Sequence, residues 1–289
     1  MRALATMVAL IMLPAIANSA VLVAMDDMDG GTLNRIGATI PALDGGPGDY
    51  LGIGSRNGWP QGFPSPGVPF SIADDSVFGY SNDGAPFPGD NEGIYGENSN
   101  LDNNYFAISD SDEFEIDQVA AWSFDITGYT ELTLFIDMGG VSSPSSGGYS
   151  LDTDVKFTVQ IDGGAVQTAF DLNPVDPGFV QRLMDDGTQS GGGRVLEVVG
   201  DNTVTKYLAE DGSAAGNTFL DKTPPSGPGA GNLDSFGTPI TGTGSVLLLT
   251  MTCNFPFEAM VFDNIRIEGR VDPTPTNKAS MGQIKKLYK

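Results

Sequence analysis

The stretch Ala121–Gly140, AWSFDITGYTELTLFIDMGG, alternates along its whole length. Trp122, Phe124 and Ile126 fall on one side, with Ser123 and Asp125 on the other; past Gly128–Tyr129 the pattern resumes with Leu132, Leu134, Ile136 and Met138. A period of two marks strands with one buried face. Val155–Ile161 and Leu247–Phe255 alternate in the same way, so the predicted fold is an all-β sandwich in which Trp122–Met138 is central. Cys253 shares a face with Leu247, Leu249 and Met251, which predicts a buried, inert thiol. As the only cysteine of the chain it forms no intramolecular disulfide.

Working outward, Val21–Met25 reads as a first strand that ends in an acidic turn, Asp26, Asp27 and Asp29 followed by Gly30–Gly31. From Ile40 to Asn104 the chain is rich in Gly, Pro, Asn and Asp, with brief apolar pieces at Tyr50–Ile53 and Val68–Ile72, and long ordered loops are expected. Trp59, in NGWPQGFPSPG, is expected to plug one end of the sandwich. Phe106 and Ile108 lead into an acidic alternation from Asp110 to Asp117. Asp162–Gly163–Gly164 predicts a hairpin that returns through Val166–Leu172. Between Asn173 and Gly244 the pattern loosens, as insertions on a core would, with short pieces at Val195–Val199 and Val204–Leu208 and a short helix at Gly178–Met184. The closing strand Ala259–Ile267, AMVFDNIRI, is apolar on both faces, so both should be covered.

The ends of the chain read differently. Residues 1–20 have the Arg2, apolar run and small-residue pattern of a signal peptide, which predicts a secreted protein, and no later run is long enough to span a bilayer as a helix. Residues 21–270 are expected to form a single domain. Residues 271–289 read as a Pro/Thr linker and a basic tail: Lys278–Lys289 holds four lysines and no acid. Overall, 37 acids against 14 bases give a net charge of −23, a surface that repels nucleic acid and anionic lipid and suits divalent cations. With no histidine in the chain, the usual triad base and the commonest zinc ligand are missing.

Four segments, YFAISDSD (Tyr105–Asp112), WSFDITGYTELTLFIDM (Trp122–Met138), FTVQIDGG (Phe157–Gly164) and FDNIRIEG (Phe262–Gly269), resemble in that order the exported bacterial jelly-roll modules of the galactose-binding-like and carbohydrate-binding-like type. The resemblance implies an antiparallel jelly-roll β-sandwich with long loop insertions, and a structural calcium near the first and last strands. It does not imply one ligand.

Asp263 is the most informative acid. In strict alternation it falls with Ala259, Val261, Ile265 and Ile267 on a face that should be buried, and a buried carboxylate needs a partner. Since Lys and Arg are scarce, one expected partner is calcium, with Asp26 and Asp27 as co-ligands and Asp110 and Asp112 as a second candidate site; the alternative is a strand end or bulge at Asp263–Asn264 that turns the side chain to water or to a backbone amide. Trp59, Tyr80 and Tyr95 are the candidate contacts for a polysaccharide or cell-surface glycan. No catalytic residue is nominated, and the expectation is a non-enzymatic secreted or cell-surface module that binds carbohydrate or forms a matrix. One alternative is a secreted polysaccharide-acting enzyme using paired carboxylates of the Asp110–Asp117 region. The other is a self-assembling surface-layer or filament subunit, which an unpaired edge strand or an apolar surface patch would favour.

Overall fold

The computed structural model describes residues 19–40, 50–55, 104–109, 118–141, 148–176, 178, 182–183, 189–190, 193–200, 206–208, 234–254 and 259–272. Among them there is no helix, and thus none long and apolar enough to cross a membrane. The strands are β1 (Val21–Asp26), β2 (Thr32–Leu33), β3 (Arg35–Thr39), β4 (Tyr50–Ser55), β5 (Asn104–Ser109), β6 (Gln118–Asp125), β7 (Tyr129–Val141) and β8 (Asp154–Ile161). They continue with β9 (Gln167–Val175), β10 (Arg182–Leu183), β11 (Gln189–Ser190), β12 (Val195–Val199), β13 (Lys206–Leu208), β14 (Asp234–Pro239), β15 (Val246–Asn254) and β16 (Ala259–Val271). The β10–β11 pair stands where a short helix is expected from sequence. Arg182 and Leu183 sit opposite Ser190 and Gln189, and the rest of the expected helix, apart from Gly178, lies outside the described residues.

Two antiparallel sheets make the sandwich. One runs β14-β7-β16-β1-β2, with β5 and then β4 joined to β16; the other runs β13-β12-β9-β8-β15-β6-β3. The alternation read from Ala121–Gly140 is present, but its two halves lie in different sheets, with Ile126–Gly128 as the corner between them. The corner is held by Ile126 N–H donating to Ser245 O (2.9 Å), and Gly128 turns it at φ 84°.

Trp122, Phe124, Leu132, Leu134, Ile136 and Met138 all face inward and are fully or almost fully buried. At the centre Phe262 of one sheet meets Trp122 and Phe157 of the other edge to face, at centroid distances of 5.9 and 5.2 Å, and stacks on Phe106 at 4.6 Å. Such aromatic pairs add about 0.5–1.5 kcal/mol each to the stabilisation by burial. The indole Nε1 of Trp122 lies inside this cluster with no acceptor. Cys253 is buried on the face it shares with Leu247, Leu249 and Met251, as expected.

The predicted hairpin is β8–β9. Asp162 and Gly163 take φ of 49° and 70°, the two positive values that let a tight turn follow the twist of its strands. Asp162 also ties this hairpin to the start of β15, its carboxylate accepting Ser245 N–H (2.9 Å) and Val246 N–H (2.8 Å).

Candidate functional site

The last strand, β16, is where the sequence places the key acid, and it is also where one sheet divides. Along one side β16 keeps a single neighbour, β7, from Ala259↔Val141 to Val271↔Tyr129. On the other side it has two in succession: β5 pairs with Ala259–Phe262 and β1 with Ile265–Gly269. The change of partner falls at Asp263–Asn264, where the ladder to β7 slips and Asn264 adopts φ 51°. This is a bulge, and asparagine tolerates the left-handed conformation it requires. The gap between the ends of β1 and β5 is bridged by Asp29, whose Oδ1 accepts both Asn104 N–H (2.7 Å) and Asn104 Nδ2–H (2.9 Å).

The bulge decides which way Asp263 faces. Phe262 points into the core and Asp263 lies directly opposite Asp137, on the outer face of its sheet. Ile265 and Ile267 return to the inner face, since Ile267 is opposite inward-facing Leu134. Strict alternation would have put all of these on one face; one extra residue separates them. Val261 and Asp263 are nonetheless buried, so β16 is covered on both faces.

Asp263 is only 2% exposed, and its Oδ1 accepts the amide N–H of its own neighbour Asn264 at 2.6 Å. Burial pushes its carboxyl up to about 8; the Asn264 amide opposes this, and the charges of Asp29, Asp137 and Asp27 add to the rise. Asp137 is held by Arg266, whose Nη1 donates to both of its oxygens at 3.1 Å while Nη2 donates to Ser235 Oγ at 2.8 Å. The same guanidinium lies 5.4 Å from the centre of the Phe135 ring, which in turn lies over Gly237, where a Cβ would come within 2.5 Å of Phe135 Cε1.

The sequence-predicted co-ligands divide between the two faces. Asp26 is fully buried opposite Ile265, hence on the inner face, where its oxygens accept Met28 N–H (3.1 Å) and Arg35 Nη1–H (2.5 Å). It already has a cation, and the pair joins β1 of one sheet to β3 of the other. Asp27 stays near Asp263, within reach of its charge, while its Oδ1 closes the acidic turn by accepting Asp29 N–H (3.1 Å) and Gly31 N–H (2.6 Å). Asp110, Asp112, Trp59, Tyr80 and Tyr95 lie outside the described residues.

Reasoning from sequence missed Asp29, Asp137, Arg35 and Arg266. The signal for Asp137 was available, because it is the outward-facing acid in the alternating run LTLFIDMGG. Among the described residues no three His, Cys, Asp or Glu side chains stand ready-made to hold a metal. Asp27, Asp29, Asp137 and Asp263 share a neighbourhood without forming a cage. In comparison with known proteins, no family model and no curated protein matches this chain.

Proposed function

We propose that this chain is an exported, non-enzymatic module of the galactose-binding-like jelly-roll type, stabilised by calcium and serving to bind polysaccharide or build an extracellular matrix. The observation that carries the reading is how the sandwich uses its carboxylates. Asp26 is committed to Arg35, Asp29 to Asn104, Asp137 to Arg266, and Asp162 to two backbone amides. Each of these acids cross-links one strand or turn to another. Glycoside hydrolysis instead needs two carboxyl groups facing each other across a space left for sugar and water, and the acids from Asp110 to Asp117 nominated for it lie outside the described residues.

Asp263 is the exception, a buried acid surrounded by like charge, and such a group keeps a proton or takes a cation. Calcium accepts carboxylates and backbone carbonyls alike, so it fits the chemistry available; binding would have to draw the Asp27–Asp29 turn inward. Contact with glycan is assigned to Trp59, Tyr80 and Tyr95.

The test is thermal melting at pH 9, where Asp263 is ionised, in chelator and in calcium, together with a glycan array. A ligand that binds only the native state stabilises it by about 2.7 kcal/mol at 100-fold excess over its dissociation constant. Calcium should raise the melting temperature of the parent and leave Asp263→Asn unmoved. Equal curves with and without calcium would remove the ion, and an array without a hit would remove the glycan.

A further inference from the structure

We propose that the open edge at β3 is where a second copy of this chain adds to the sandwich. The inference takes up the matrix-forming side of the function proposed above and names its partner.

Every residue from Thr32 to Thr39 is exposed, and among the described residues β3 hydrogen-bonds to β6 alone, so its far side presents a row of main-chain donors and acceptors with no described strand beside it. Native sheets guard such edges with prolines, lysines or charges. Among the described strands, the edge strand β14 of the opposite sheet is guarded in this way by Pro239 at its end. In β3 the one charge, Arg35, is taken up by Asp26, and the rest is Ile36, Gly37, Ala38 and Thr39. The ladder to β6 slips at Ile36, which leaves that side chain 60% exposed as an apolar anchor. Beyond it the main chain is bare: a Cβ built at Gly37 meets nothing within 4 Å.

Charge selects the occupant. A chain of net charge −23 repels its own copy wherever it presents carboxylates, and Thr32–Ile40 contains none. A strongly charged partner finds no counter-charge on this strand. An antiparallel edge can pair with itself about a two-fold axis, each copy offering the same strand. The pairable run past the slip is only Gly37–Thr39, so the dimer is weak and forms in proportion to concentration.

The experiment is sedimentation velocity of the full chain over a concentration series, for the parent, Gly37→Asp and Gly37→Cys. The parent should pass from monomer to dimer. Gly37→Asp should raise the dissociation constant by about tenfold or more at an unchanged melting temperature, because its side chain enters open space. Gly37→Cys should give a disulfide-linked dimer under oxidation, with buried Cys253 contributing nothing. A dimer that Gly37→Asp leaves intact overturns the edge assignment while self-assembly stands. A parent that stays monomeric at every concentration overturns both.

Discussion

Replacing Asp263 by asparagine should change how stability depends on pH in a direction opposite to the usual behaviour of a carboxylate. In the folded protein burial, reinforced by three neighbouring acids, raises the Asp263 carboxyl to about 8, against 3.8 for an ordinary aspartate. Below the lower value both folded and unfolded chains hold the proton, and the contribution to stability is complete. As pH rises through that window the unfolded chain ionises while the folded one keeps its proton, so stability falls; above about 8 both are ionised and the loss is complete. One proton contributes 1.36 kcal/mol per pH unit, which gives a ceiling of about 6 kcal/mol over the window and about 2–3 kcal/mol between pH 5 and 7. Asparagine preserves the shape and an oxygen to accept the Asn264 amide, and it does not titrate. The parent should therefore lose about 2–3 kcal/mol relative to Asp263→Asn between pH 5 and 7, while the other acids act in both proteins and cancel. Urea unfolding in chelator, followed by the fluorescence of buried Trp122, measures the difference. If the two proteins keep the same stability gap to within about 0.5 kcal/mol across that range, Asp263 is not a buried acid repelled by its neighbours.

Three further outcomes follow from packing and backbone. Phe262→Ala removes the ring that contacts Phe106, Trp122 and Phe157 at once, and chemical unfolding should show a loss of about 3–5 kcal/mol. Gly200→Ala places a methyl group 2.1 Å from Ala169 O at φ 116° and should cost more than about 1 kcal/mol, whereas Gly37→Ala should leave the melting temperature unchanged. Cys253 should react with a thiol reagent only at the rate of unfolding, because it is buried in β15; rapid labelling of the native protein would contradict the sandwich core.

Much of the fold was legible because most strands present one apolar and one polar face. Trp122–Met138, Val155–Ile161 and Leu247–Asn254 occupy the predicted strands with the predicted inward faces, and Phe255 lies outside the described residues. Two strands left no such trace. In β3, RIGAT, no side chain is buried, so alternation carries no information. In β14, DSFGTP, glycine and proline mimic a loop, and the strand is recognised only from Phe236 lying opposite Ile136. The burial of Asp263 was legible too, but its direction only as one of two alternatives, because a single residue in the left-handed region at Asn264 inverts the face of everything before it. Nor does composition tell which of the few arginines is already spent. Asp26 meets Arg35 only because the chain crosses from one sheet to the other at Asn34, held there by its Nδ2–H donating to Val23 O at 2.7 Å.

The pairing of β1 with β16 brings Val21 opposite Gly269, so a strand from the first tenth of the chain finds its partner in the last tenth. β16 is also the strand against which β5 and β7 are laid. Contacts between such distant segments carry the full entropy of closing the chain before they return any stabilisation, which makes the folding of sandwiches slow. Here the delay falls on both sheets, through β15 in one and β16 in the other. β8, β9 and β12 can pair in sequence as they emerge, but β6 waits for β15, and β1, β5 and β7 wait for the residues after Ala259. Until then their apolar faces and free edges remain open to other chains.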